Sequence, residues 1–229
     1  YEFDGIYQVD DFYTSAATGK LILKPGITNN TRYDGGAAPG VVKYKDQNGD
    51  GKITTADRTV IGNAMPKWFG GITNSFSFKG IDFSFMLQYS YGNDVFNATR
   101  QFATGSQDQR YNMLAEVADR WSPTNASNKV PSTKGYVKGD VYSRFVEDGS
   151  FLRLKNMTLG YSLPKKWINK IHISKLRIYG TAQNLFCISG YSGYDPEVST
   201  AASNPMTPGL DWGAYPKSRV FTFGLDVQF

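Results

Sequence analysis

Asp46, Asn48, Asp50, Lys52, Thr54 and Asp57 stand at positions one, three, five, seven, nine and twelve of a twelve-residue stretch, with Gly51 at the sixth. Oxygen ligands at that spacing wrap a hard cation, so Ca2+ is the expected ion. Lys52 would give only its backbone carbonyl, and Thr54 would act through a water. Asp57 replaces the usual bidentate Glu, and no helical pattern flanks the stretch, so the same residues also suit an Asn/Asp/Gly surface turn that binds nothing. An ion held here would have extracellular-type affinity, about 10⁻⁴ to 10⁻³ M, and would stiffen a loop.

A second group, Tyr191, Tyr194, Trp212 and Tyr215 with Asp195 and Glu197, could stack on sugar rings or contact a partner; packing inside an ordered loop is the competing reading. The remaining residue types exclude most catalysis. A single histidine, His172, supplies neither a zinc site nor a Ser-His-Asp triad, and reads as a polar turn residue. A single cysteine, Cys187, excludes an internal disulfide and reads as a buried small hydrophobe near a strand end. No nucleophile, acid/base pair or phosphate loop stands out, so no enzyme is expected. The net charge of +5 is not gathered into a basic stripe with stacking aromatics, which argues against nucleic acid.

These residues need elements to hold them, and the elements are strands. In Ile81–Tyr91, Ile81, Phe83, Phe85, Leu87, Tyr89 and Tyr91 alternate with Asp82, Ser84, Gln88 and Ser90, Met86 alone breaking the pattern. Alternation separates two faces. Eleven residues extend about 36 Å, and a tilt near 45° projects this onto about 25 Å, the height of an outer-membrane barrel's apolar band. The chain's end repeats the pattern, with Phe221, Phe223, Leu225, Val227 and Phe229 opposite Thr222, Gly224, Asp226 and Gln228. A one-residue slip would send Asp226 into lipid, so register is well specified.

The composition of 40% hydrophobic and 15% aromatic residues in 229 would also suit a soluble β domain; the alternation decides against it. No apolar run reaches the length of a transmembrane helix, and Tyr1–Asp4 lacks signal-peptide features, so the chain reads as a fragment of an exported protein. Further strands are expected at Trp68–Phe78, joined to Ile81 by a two-residue Lys79-Gly80 turn, at Leu152–Leu163, at Lys175–Phe186 and from Arg219. Residues 1–66 read as irregular loop structure with short strands near Leu21–Leu23 and Val41–Tyr44. The excursion 92–150 is expected to carry a helix over Gln109–Trp121, from Leu114, Val117, Ala118 and Trp121. In Leu152–Leu163, Arg153 and Lys155 share a parity with Met157, Leu159 and Tyr161, so if that face meets lipid both cations must lie at the outer interface. Long connections (1–66, 92–150, 187–218) alternate with short ones (79–80, 164–174), as extracellular loops alternate with periplasmic turns in barrels. Trp68, Tyr89, Tyr91, Tyr161 and Trp167 lie near strand ends, where aromatic girdles sit. Five strands cannot close a lumen, so other residues must complete the barrel.

Four segments carry a resemblance: Asp46-Gln47-Asn48-Gly49-Asp50-Gly51-Lys52-Ile53, Asp148-Gly149-Ser150-Phe151-Leu152-Arg153-Leu154-Lys155-Asn156, Gln183-Asn184-Leu185-Phe186 and Gly193-Tyr194-Asp195-Pro196-Glu197. With the Phe-rich last strand, they resemble the C-terminal part of SusC/RagA-like TonB-dependent transporters of Bacteroidota outer membranes, over nearly the whole chain. The resemblance implies an all-β, antiparallel transmembrane barrel of the plugged 22-stranded class. It implies import of oligosaccharides or peptides, a SusD-like surface lipoprotein partner, and energy from TonB through an N-terminal plug not among these residues. It also implies that Phe229 is part of the signal read by the barrel-assembly machinery. Asp82, Gln88, Arg177, Gln183 and Asp226 would then keep the lumen polar. Two other readings stand beside it: a soluble, calcium-stabilised β-sandwich that binds carbohydrate, and an outer-membrane barrel that transports nothing.

Overall fold

The computed structural model describes residues 1–105, 111–200 and 206–229. In chain order its strands are β1 (Phe3–Ile6), β2 (Phe12–Thr14), β3 (Leu21–Leu23), β4 (Val42–Tyr44), β5 (Trp68–Phe78), β6 (Ile81–Tyr91), β7 (Asp94–Asn97), β8 (Val146–Asp148), β9 (Phe151–Ser162), β10 (Lys175–Ser189), β11 (Leu210–Asp211) and β12 (Val220–Gln228). Two α-helices, α1 (Ala98–Gly105) and α2 (Lys165–Ile168), join them. The chain divides into two compact units, one of Tyr1–Asn63, Phe96–Glu147 and Leu210–Gly213, the other of Ala64–Val95, Asp148–Gly209 and Ala214–Phe229.

The second unit is built on one antiparallel sheet of order β12-β10-β9-β6-β5. Lys79 and Gly80 both take positive φ, 48° and 86°, the geometry of the tight turn whose twist matches paired strands. From this turn β5 and β6 pair without interruption, Phe78 against Ile81 through Trp68 against Tyr91. Facing partners share a side of the sheet, so Phe76, Phe83, Leu159 and Leu225 fall on one face, and Asp82, Gly160, Tyr179 and Gly224 on the other. Phe76 stacks across the strand pair on Phe83, centroids 6.3 Å apart, and Phe85 lies 5.7 Å from Phe83. Each such pair contributes about 0.5–1.5 kcal/mol beyond its area. Much of the rest of this face is bare: Phe223 is 84% exposed and Leu225 66%. A soluble sandwich would have to bury this face, so that alternative fails.

The parity expected for β9 is corrected. Met86 faces Asn156 and Leu87 faces Leu154, so Lys155 is an extra residue opposite neither. β10 shifts at the same level, between Gln183 and Phe186, with Asn184 at φ 51°. A β-bulge advances the side-chain phase by one residue. Arg153 is thereby turned to the polar face, opposite Gln88, and does not share a face with Met157, Leu159 and Tyr161. Cys187, opposite Arg153, is exposed and not the buried hydrophobe expected, because it lies on this polar face.

The first unit has a core of its own in residues whose spacing is not periodic. Tyr7, Val42, Ile53, Tyr142 and Phe145 are fully buried, and Tyr44 stacks on Tyr1 at 5.0 Å and tilts against Tyr142 at 5.4 Å. β1 pairs with β4 and β2 with β3, and in a three-stranded sheet of order β11-β7-β8 the register sets Leu210 against Phe96 and Asp211 against Asn97. Burial pushes the hydroxyls of Tyr44, Tyr142 and Tyr7 far above the ordinary tyrosine range. The helix expected over Gln109–Trp121 is also corrected. Gln109 and Arg110 lie outside the described residues, and the rest holds only a 3-10 turn, Ala115–Asp119. Val117 is buried from that turn and Trp121 from the loop after it, the Trp121 amide donating to the Val130 carbonyl, while Leu114 stays 45% exposed. The helix of this region is α1, which the alternation of polar and apolar residues did not mark.

Candidate functional site

The Asp46–Asp57 loop is held by its own carboxylates. The Asp46 oxygens accept from the Gly49 and Gly51 amides at 2.7 and 2.8 Å. Asn48 accepts from the Asp50 amide, and Asp50 from the Lys52 amide at 2.8 Å, so the loop is a succession of Asx turns. Asp57 lies fully buried beneath it and accepts from the Gln47 and Thr54 amides at 2.9 and 2.7 Å. Burial works against its charge, but those amides outweigh it and hold the carboxyl below the usual range. Among the described residues no three His, Cys, Asp or Glu side chains gather in a metal-binding group. A carboxylate oxygen that accepts one N–H keeps a second lone pair, so the chemistry of Asp46, Asn48, Asp50 and the Lys52 carbonyl remains compatible with a hard cation.

The four aromatic residues do not form one platform. Tyr191 is buried, whereas Tyr194 and Tyr215 are 78% and 89% exposed, and these three belong to the strand unit. Trp212 belongs to the other unit, where it meets Phe102 edge-on at 5.6 Å; Phe102 in turn meets Tyr111 at 5.2 Å. Trp212 and Phe102 border a cavity of about 630 Å³ lined also by Gln101, Tyr136, Lys138 and Asp140. Its floor is fixed, since Gln101 donates to the Asp140 carbonyl at 2.7 Å and the Asp140 carboxylate pairs with Arg32 at 2.7 Å. Rings at the wall and amide, ammonium and backbone groups among them suit a polar, partly apolar ligand such as a sugar ring or peptide. Gln101 and Phe102 are residues the sequence reading missed. The available signal was Asn97, which caps α1 by accepting from the Arg100 amide at 2.8 Å. Arg100 then pairs with Glu116 and Glu147 at 2.8 and 3.0 Å, the Glu116 bond leading the effects that raise its guanidinium and, reciprocally, lower the Glu116 carboxyl.

The polar face of the sheet carries paired charges. Asp195 and Glu197 come together with the bulge cations: Arg153, itself buried, meets Asp195 at 2.5 Å and Glu197 at 3.5 Å, and Lys155 and Lys217 also meet Glu197. Two of the sequence segments singled out by resemblance, 148–156 and 193–197, thus converge on one network. Toward the short-turn end, Arg177 makes a two-pronged pair with Asp82 at 2.9 and 2.5 Å, reaching across β9. The strand between is Gly160 at that point, where a Cβ would come within 2.5 Å of both partners. Gln88, Gln183, Arg177 and Asp226 share this face with Asp82, as the alternation requires.

Several known proteins are similar to this chain. A segment of TonB-dependent receptor P3 of Formosa agariphila is 34% identical over 234 residues, covering 100% of this chain and 22% of the relative. TonB-dependent receptor P26 of the same organism is 37% identical over 195 residues, and TonB-dependent receptor SusC of Bacteroides thetaiotaomicron 32% over 199, covering 83% and 86% of this chain. The chain spans about a fifth of the length of the curated relatives it matches. Among solved structures, the RagAB peptide importer in its open-open state superposes with a TM-score of 0.69 over 96% of this chain and 24% of that chain, at 22% identity. The RagAB peptide transporter gives 0.69 over 100% and 22%, at 24% identity. This likeness is one of fold. No family model matches the chain.

Proposed function

We infer that this chain, which belongs with the TonB-dependent receptors it matches over 86% to 100% of its length, is the C-terminal stretch of wall and surface loops of an outer-membrane nutrient importer. The observation that carries this reading is the five-stranded sheet, one face bare and aromatic, the other lined with charges that pair with each other. Hydrocarbon suits the first face, and a polar lumen suits the second. Completed by the rest of the protein, the sheet would close a plugged barrel of the 22-stranded class. The loop unit would lie on the extracellular side and offer its aromatic cavity to oligosaccharide or peptide. A SusD-like lipoprotein would cover it, as the RagAB assembly suggests by analogy; TonB would drive uptake through an upstream plug; and Phe229 would end the strand recognised during barrel assembly.

The same reading gives the Asp46–Asp57 loop a Ca2+ ion through Asp46, Asn48, Asp50 and the Lys52 carbonyl, with Asp57 closing the loop from beneath. Titration calorimetry would find binding in the millimolar class, lost in Asp46→Ala. Two measurements test the main proposal, the first on the full-length protein in lipid and the second in cells. Spin labels at positions 83 and 223 should be open to dissolved oxygen and shielded from a nickel chelate; the reverse result defeats the membrane assignment. A gene deletion should abolish uptake of at least one class of oligomeric nutrient, and unchanged uptake across glycans and peptides would leave a barrel without transport.

A further inference from the structure

The two ends of the strand unit differ in how their cations are used. At the bulge end, Arg153, Lys155 and Lys217 each have an acidic partner in Asp195 or Glu197. At the short-turn end both described acids of the strands are already taken, Asp82 by Arg177 and Asp226 by Lys175 at 3.8 Å. Lys79, in the β5–β6 turn, and Lys165, Lys166 and Lys170, in the β9–β10 connection, have no acidic partner among the described residues, and all four are exposed. The two connections lie side by side, because the Ser162 amide donates to the Gly80 carbonyl at 2.7 Å.

That connection also has an apolar member. In α2, Ile168 is 2% exposed and anchors the turn, while the adjacent Trp167 is 65% exposed among the three lysines. Lys79 lies over the ring of Phe78, 5.1 Å from its centroid, at the edge of the bare aromatic face. An indole and ammonium groups on flexible stems, at the border of an apolar band, match the headgroup layer of a bilayer.

We propose that the β9–β10 connection with Lys79 is a binding site for anionic phospholipid, Trp167 entering the interface and Lys79, Lys165, Lys166 and Lys170 holding the phosphates. The argument is charge complementarity: an end of the sheet with unpaired positive charge only, continuous with a face that needs hydrocarbon. It rests on the reading of that face as membrane-exposed. Each lysine near an anionic surface is worth about a fivefold change in binding, so removing three removes roughly a hundredfold.

The test uses the full-length protein in nanodiscs of zwitterionic phosphatidylcholine with a minor share of phosphatidylglycerol, then native mass spectrometry of the lipids it retains. The wild type should retain phosphatidylglycerol well above its share, and a K165Q/K166Q/K170Q variant should lose this enrichment. A variant with equal charge removed from the loop unit, K20Q/K24Q/K43Q, should keep it. Equal loss in both variants would reduce the effect to net charge and overturn the proposal, as would no enrichment in the wild type. Retained enrichment in the first variant would place the lipid elsewhere and overturn it too. A protein that does not enter the nanodisc at all would instead defeat the membrane reading. Heat-modifiable migration on gels verifies that each variant is folded.

Discussion

The two units handle aromatic side chains in opposite ways. The loop unit hides them: Tyr7, Tyr142 and Phe145 are fully buried in a core assembled from segments far apart in the chain. The strand unit displays them, with Phe223, Trp68 and Phe78 each more than two thirds exposed. Chains of similar chemistry therefore answer different solvents, and the difference lies in spacing. Side chains of period two make a face for an external apolar phase, whereas aperiodic aromatics close on each other.

The largest effect should come from the hidden set. Phe145→Ala removes a fully buried ring and should cost about 3–5 kcal/mol. Hydrogen exchange on the full-length protein should show loop-unit amides losing protection while the strands keep theirs; loss across both units would break the contrast. Next comes Phe83→Arg, which should destabilise the folded barrel by about 2–4 kcal/mol if position 83 sits near the bilayer midplane. Urea titration of folding into lipid vesicles measures this, and a near-neutral result would mean that this face meets no hydrocarbon.

The smallest effect belongs to Asp57, a fully buried acid of the loop unit. The folded pKa of Asp57 is depressed, so its stabilisation is complete at neutral pH, above the unfolded value of about 3.9, and is lost as pH falls through the lower folded value. Asp57→Asn should cost about 1–3 kcal/mol at neutral pH, because one amide loses its acceptor, and should flatten the acid limb of the unfolding profile. An unchanged acid limb would mean the carboxylate contributes nothing to closing the loop.

Legibility followed the same division. The β5–β6 hairpin was readable to the residue because its pairing has no bulge and most positions, Met86 excepted among the β6 residues, vote for the same two faces. β9 was misread in phase, since nothing in Leu154-Lys155-Asn156 announces that one residue is left over; only the partners in β6 and β10 reveal it. The tyrosine core was invisible because Tyr1, Tyr44 and Tyr142 meet through tertiary packing alone. The aromatic cavity was half legible: Trp212 was singled out, but its neighbour Phe102 depends on a helix whose only advertisement was an Asn cap. The acids of the 193–197 segment were read only beside the loop aromatics, and their pairing with Arg153 was not foreseen.

Gly160 leaves a gap in relief through which Arg177 and Asp82 clasp, tying together two strands that share no backbone hydrogen bond. Three neighbouring strands are thereby buttoned at one level, so the wall there cannot shear one strand at a time. Any side chain in place of that single hydrogen would prise the clasp apart and return that freedom to the wall.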